Sequence, residues 1–249
     1  SDPQDCSQRQ GRQYGRPPSR PQRMMSVATP VSRSSHATPQ ATPSPVVTSA
    51  LQGAAQAATT AATRQRAYTA PPTPAVYQRM EWVFAYGSLI WNPEFDFDER
   101  HKVRIEGYHR AFCINSHTYR GTPDAPGVVL GLDCGGSCEG IVYRVRRGQE
   151  ADIMDRIYQR EMVSEVYRPL VVDIPLPDGR QVQALTFIAC QEDLHGYLPG
   201  PRSEVLRRLR ECTGCRGSNR EYALNTQAAL REWGIQDPSL DALIAELDA

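Results

Sequence analysis

No stretch of this 249-residue chain approaches the 18 or so consecutive apolar residues of a membrane span, and no signal-peptide core stands near its start. A helical membrane anchor is thereby excluded, and a soluble protein without a membrane partner is expected. Cysteine is sparse: Cys6, Cys113, Cys134, Cys138, Cys190, Cys212 and Cys215 are an odd, scattered set without the density of a secreted disulfide framework. A reducing, cytoplasmic setting fits that pattern. Lysine is almost missing, since Lys102 is the one lysine among 28 basic residues, and no function is attached to that.

Clustered large apolar residues are lacking over residues 1–80, where Pro, Ser, Thr, Ala, Gln and Arg dominate. Such a segment buries too little surface to offset the entropy of ordering, so a disordered tail is expected there. Residues 81–249 have the size of one domain with one core. The formal charge of zero hides an asymmetry. The tail carries nine arginines against Asp2 and Asp5, a balance of +7, which leaves 81–249 at −7. A net acidic domain argues against nucleic acid as a partner. The tail, Arg-rich, Ser-rich and poor in acids, also has the composition of a transit peptide, which keeps an organelle as the alternative compartment.

Within 81–249 the apolar run Trp82–Tyr86 reads as a buried strand that stops at Gly87-Ser88. Residues 103–105, 111–115, 128–132, 140–145, 167–174 and 182–189 are β-branched or aromatic runs bounded by Gly, Pro or Asp, and read as further strands. Pro177-Asp178-Gly179 is a hairpin turn between the last two. Helical spacing begins at Glu150 and runs to about Met162. Later helices are expected from Ser203 to Cys212, from an Asn219 cap to Trp233 with Gly234 as stop, and from Asp237-Pro238 onward, where Leu240, Leu243, Ile244 and Leu247 share one face. Strands first and helices later predict an α+β fold: a small mixed or antiparallel β-barrel with flanking helices.

On the helix from Glu150, residues Ile153, Met154, Ile157, Tyr158, Glu161 and Met162 fall on one stripe, and Glu161 is its one charged member. A carboxylate on a core-facing stripe must be paired, be neutral, or open onto a cavity where a raised pKa is useful. An ordinary alternative is that Glu161 reaches the surface or pairs with Arg160 or Arg168. The turn Tyr86-Gly87-Ser88-Leu89 offers successive backbone N–H groups beside a glycine that permits close approach, as an anion cradle would. A plain strand terminator has the same residues.

The longer string Trp82-Val83-Phe84-Ala85-Tyr86-Gly87-Ser88-Leu89-Ile90-Trp91-Asn92-Pro93 resembles the opening of the ChaC-type γ-glutamylcyclotransferases. Gly107–Cys113, Arg120-Gly121-Thr122, Pro126-Gly127, Tyr143-Arg144, Arg160-Glu161-Met162, Tyr197-Leu198 and Gly217–Tyr222 are similar to that family's segments, in the same order. The resemblance runs from Trp82 to about Leu247. It implies a compact β-barrel with helices outside, no metal or organic cofactor, and conversion of glutathione to 5-oxoproline and cysteinylglycine. It implies Glu161 as the catalytic proton acceptor and Ala85, Tyr86, Gly87, Ser88, Leu89 and Ile90 as the substrate-binding loop. Ala85 is a departure, standing where many relatives have glycine.

The implied reaction is intramolecular. The γ-glutamyl α-amine attacks its own γ-carbonyl, closes a five-membered lactam and expels the cysteinyl amine, so the enzyme must add a base for the ammonium and an acid for the leaving nitrogen. Arg120 is a candidate clamp for the glycine carboxylate, or else a surface ion pair. Tyr197 either walls the pocket or packs at a helix entrance. A zinc site built from Cys134, Cys138, Cys212 and Cys215 is disfavoured by loose spacing, a redox role for Cys212 and Cys215 by their place after a helix, and a hydrolase reading of His109 and His117 by the absence of a nucleophile elbow. The chain is expected to act as a monomer on a small-molecule substrate. Cyclisation of other γ-glutamyl amino acids or amines, or a non-catalytic binding module engaging a partner through the Pro-rich tail, are the alternatives.

Overall fold

The computed structural model describes residues 72–162, 166–193, 195–198 and 200–247. Most of the expected tail, residues 1–71, lies outside the described residues. Its last nine residues, 72–80, do not: a short helix α1 (Pro74–Tyr77) leads into the domain, and Tyr77 and Met80 are buried in the main core. The Tyr77 ring stacks on Tyr158 with centroids 4.1 Å apart, so the folded unit begins before Glu81.

Five strands follow: β1 (Trp82–Ala85), β2 (Phe97–Ser116), β3 (Gly127–Val145), β4 (Tyr167–Pro175) and β5 (Gln181–Ala189). They form one mixed sheet in the order β2-β3-β1-β5-β4. Strand β1 lies at its centre, antiparallel to β3 and parallel to β5, and all four of its residues are buried. A continuous apolar run rather than an alternating one is what a strand covered on both faces requires. The close packing shows at Gly140 in β3, where a Cβ would stand 2.4 Å from the Ala85 carbonyl oxygen and 2.6 Å from the Phe84 ring.

Two corrections to the sequence-based expectation concern the sheet. The four short strands expected between 103 and 145 are halves of two long ones. Gly107, at φ 87°, sits at a register shift opposite Gly135 and Gly136, at φ 94° and 69°, and these glycines bend the β2–β3 ribbon instead of ending it. The barrel is not formed either. The sheet is open, with β2 and β4 as its edges. The free edge of β2 is taken up elsewhere: Asn115 N–H donates to Gly196 O at 2.7 Å, Leu198 N–H to Cys113 O at 2.8 Å, and Ile114 bridges Tyr197.

Helix α2 (Glu150–Glu161) follows β3 and buries Ile153, Met154 and Ile157. The C-terminal helices are α3 (Arg202–Glu211), α4 (Asn219–Glu232) and α5 (Pro238–Leu247), with a two-residue hairpin of β6 (Thr213–Gly214) and β7 (Gly217–Ser218) between α3 and α4. Helix α5 buries Leu240, Leu243, Ile244 and Leu247 as expected, and Asp237 caps it by accepting the Leu240 N–H. Two caps differ from expectation. Helix α3 starts at Arg202 without a side-chain cap, and Ser218 caps α4 by accepting from Glu221 N–H. Asn219 is freed for another use: fully buried, it accepts from Val128 N–H and donates to Val128 O, both at 2.6 Å, and so pins α4 to β3. No helix among the described residues is long and apolar enough to cross a membrane.

Candidate active site

Strand β1 delivers the chain to Tyr86, whose carbonyl accepts a 2.6 Å hydrogen bond from the buried Arg110 Nε. Arg110 is itself held by Asp237 and by Glu139 O, so the exit from β1 is anchored to the sheet and to the start of α5. The next residue, Gly87, passes so close to α4 that a Cβ on it would lie 3.3 Å from Tyr222 Oη. Residues Ser88–Ile90 then close a single 3₁₀ turn, in which Ile90 N–H donates to Gly87 O and Trp91 N–H to Ser88 O. Tyr143 Oη donates to Ile90 O at 3.1 Å and Trp91 Nε1 to Thr226 Oγ1 at 3.2 Å, which fix the turn from below and from the side of α4.

Among the described residues no acceptor meets the backbone N–H of Gly87, Ser88 or Leu89. Gly87 and Leu89 are buried. Buried amides without a partner are rare and costly, so those of Gly87 and Leu89, with the amide of the half-buried Ser88 between them, make a place that can receive an oxygen anion.

Glu161 ends α2, and its side chain is 17 % exposed. The stripe argument placed it at the edge of the core, and the chain bends away immediately after, at Met162. Burial pushes its carboxyl above the ordinary carboxylate range; Arg160 and Arg216 pull the other way, and Glu94 adds to the rise. Arg160 joins Glu161 to the turn: its Nε is 3.4 Å from Glu161 Oε1 and its Nη2 donates to Ser88 Oγ at 3.0 Å. The same guanidinium reaches Glu94 at 2.8 Å and Asn92 O at 3.4 Å. Three phenols lie close enough to feel the Glu161 charge. Burial raises the pKa of Tyr86 and Tyr167 well above the ordinary value, and pushes that of Tyr222 up to about 12; the Glu161 charge adds to each rise. Tyr167 Oη donates to Leu130 O and Tyr222 Oη accepts from Leu130 N–H, so both rings are held by one residue of β3.

The structure thus brings Glu161 and the turn carrying Tyr86, Gly87, Ser88, Leu89 and Ile90 together, with Ala85 buried behind them in β1. Arg120 is placed differently. Its side chain is 8 % exposed, its Nη1 donates to Ser218 O and lies 3.6 Å from Glu221, and its guanidinium lies 5.5 Å from the centroid of the Tyr222 ring. Tyr197 donates to Asp133 Oδ2 at 2.7 Å at the edge of β2, beside Cys113 and Ile114. Reasoning from sequence named Arg160 as an ion-pair partner of Glu161, which it is, but missed its contact with the turn and missed Glu94, Tyr167, Arg216 and Tyr222 as neighbours of the carboxylate. Tyr222 lies in a segment that carried the resemblance, but nothing local marks a helical tyrosine as a site residue. Among the described residues no group of three or more His, Cys, Asp or Glu side chains is placed to hold a metal ion.

Residues 81–249 match the family model described as ChaC-like protein. The chain belongs to that family. Among its curated relatives, the glutathione-specific γ-glutamylcyclotransferase of Escherichia coli K12 is 34% identical over 168 residues, which cover 67% of this chain and 72% of that one. The γ-glutamylcyclotransferase 2-3 of Arabidopsis thaliana is 30% identical over 164 residues, 63% of this chain and 82% of that one. Among solved structures, the selenomethionine-labelled yeast γ-glutamyl cyclotransferase specific to glutathione superposes on this ChaC-like chain with a TM-score of 0.60 at 22% identity, covering 67% of this chain and 95% of that one. That likeness shows a shared fold.

Proposed function

We propose that this ChaC-like protein is an enzyme, a γ-glutamylcyclotransferase that acts on glutathione and releases 5-oxoproline and cysteinylglycine. The names of its relatives support the substrate, and one observation carries the mechanism: a single guanidinium, Arg160, touches both the buried carboxylate of Glu161 and the hydroxyl of the Ser88 turn.

In this reading Glu161 takes a proton from the substrate α-ammonium. An exposed glutamate, titrating near ~4.3, is a weak base toward an amine near ~8, and burial narrows that gap. The freed amine attacks the γ-carbonyl carbon, the C–N bond of the lactam forms, and negative charge develops on the carbonyl oxygen. The unpartnered N–H groups of Gly87, Ser88 and Leu89 receive that oxygen or the α-carboxylate; they need no reorganisation because the 3₁₀ turn already holds them. Protonated Glu161 then returns its proton to the departing nitrogen as the amide bond breaks, and the regenerated carboxylate passes the remaining extra proton of the ring nitrogen to the released amine, leaving a neutral lactam and an ammonium product. Tyr86, Tyr167 and Tyr222 keep the recess dry and stay protonated as hydrogen-bond donors or acceptors. The enzyme acts as a monomer in the cytoplasm in this reading.

Release of 5-oxoproline from glutathione by Glu161→Gln tests the reading. The near-isosteric amide cannot accept the proton, and turnover should fall roughly 10²–10⁴-fold while the fold persists. Turnover at the wild-type rate would end it. Assay of γ-glutamylalanine beside glutathione decides between the proposed substrate and other γ-glutamyl amino acids.

A further inference from the structure

Three arginines stand near Glu161 or the Tyr222 ring: the donors of Arg160 are committed, and those of Arg120, of which Nη1 meets Ser218 O, belong to a side chain only 8 % exposed. Arg160 serves Glu161, Glu94, Ser88 Oγ and Asn92 O. Arg120 is buried against Ser218 O and Glu221. Arg216 is the exception. Its side chain is 26 % exposed, and among the described residues the one acceptor that reaches it is Glu94 Oε1, at 3.4 Å. Five guanidinium N–H donors meeting one long contact is a poor use of a side chain that is three-quarters buried.

Its position is nonetheless well defined. The turn between β6 and β7 is pinned to residues 118–119 by Cys215 N–H donating to Thr118 O and Arg216 N–H to Tyr119 O. Gly214 permits this, since a Cβ there would stand 2.5 Å from Thr118 O and Tyr119 O. The guanidinium lies over the Tyr119 ring, 4.5 Å from its centroid. A fork held rigid in this way loses little freedom when it takes a carboxylate in two parallel hydrogen bonds. Arg216 is also close enough to Glu161 for its charge to act on that carboxyl.

The one carboxylate near it is a provisional partner. Glu94 stands in the left-handed region, at φ 57°, on the loop after the substrate turn. It is 41 % exposed and divides its two oxygens between Arg160 at 2.8 Å and Arg216 at 3.4 Å. A second carboxylate arriving from the cleft can take Arg216 while Glu94 keeps Arg160.

We propose that Arg216 is a specificity-determining residue that binds the substrate carboxylate farthest from the scissile bond, the glycine carboxylate when the substrate is glutathione. The proposal rests on the cyclotransferase reading: with the γ-glutamyl half held at Glu161 and the turn, the leaving half carries one further charge, and Arg216 is the partly exposed cation with donors to spare.

The test compares 5-oxoproline release from glutathione and from its glycine carboxamide, which has the same length and no terminal charge. The wild-type enzyme should prefer glutathione. Arg216→Gln should lower kcat/KM for glutathione roughly 10–100-fold, mostly through KM, as expected for losing a charge-assisted pair, and should lower that for the carboxamide by a clearly smaller factor, both read on the pH plateau above the acid limb, where the Arg216 charge no longer bears on the ionisation of Glu161. Arg216→Lys, with charge but no fork, should recover part of the loss. Equal kcat/KM of the wild type for the two substrates would overturn the proposal without any variant having to fold. So would an Arg216→Gln enzyme that slows both substrates alike, or neither. A wild type that cyclises the carboxamide but shows no preference leaves the cyclotransferase reading intact; one that releases no 5-oxoproline from either substrate removes that reading itself.

Discussion

Arg160→Met removes the guanidinium that ties Glu161 to the Ser88 turn while keeping an apolar stem of similar reach. Four contacts go: Glu161 at 3.4 Å, Glu94 at 2.8 Å, Ser88 Oγ at 3.0 Å and Asn92 O at 3.4 Å. Two of them are long, and Glu94 is 41 % exposed, so solvent screens that pair. The stability loss then rests mainly on the Ser88 bond and the discounted Glu94 pair, about 1–3 kcal/mol in all. The kinetic effect has a sign. Arg160 is the largest influence holding the Glu161 carboxyl down against the rise caused by burial. Without it the carboxyl moves further up, less of it is ionised at a given pH, and the acid limb of kcat/KM shifts to higher pH. Loss of activity should therefore be greatest on the acid side, roughly 10–100-fold, and narrow as the pH rises. The assay is 5-oxoproline release across the pH range, with urea unfolding of the same protein. An unmoved acid limb with a uniform loss at every pH would refute the role given to Arg160.

Gly87→Ala places a Cβ 3.3 Å from Tyr222 Oη; kcat/KM should fall about 10–10²-fold with less than ~1.5 kcal/mol lost in stability, and Tyr222→Phe in the same chain should recover part of the rate. Steady-state kinetics of the single and double variants checks this. Asn219→Ala strands the buried N–H and C=O of Val128, and urea unfolding should show a loss of about 2–4 kcal/mol. Because the Glu161 carboxyl titrates higher in the folded protein than unfolded, its own contribution to wild-type stability is greatest below the ordinary carboxylate range and falls as pH rises toward the raised value. Glu161→Gln escapes that fall, so its Tm relative to wild type should rise as the pH climbs out of the ordinary carboxylate range; a constant gap in calorimetry would contradict the raised pKa.

The helices and the central strand were legible because each depends on near neighbours. The stripe of α2, the shared face of α5 with its Asp237 cap, and the Pro177–Gly179 turn all came out where spacing placed them. The open sheet was not legible. Gly107 and the Gly135-Gly136 pair read as strand ends, and only their pairing across the ribbon shows them as bends. Whether β2 meets β4 or the segment at Gly196–Leu198 depends on contacts some 80 residues apart. Asn219 was misread as a cap for the same reason, since its partner is Val128.

Pattern and composition alone pointed to an α+β unit with one charged residue, Glu161, on a core-facing helical stripe and a glycine turn after its first strand. Tertiary structure decided what those features face: Arg160 between carboxylate and turn, Tyr222 against Gly87, Arg120 buried and Arg216 underused. The periods of helix and strand fix which way a side chain points from its own backbone, but the partner it meets is chosen by packing between segments far apart in the chain.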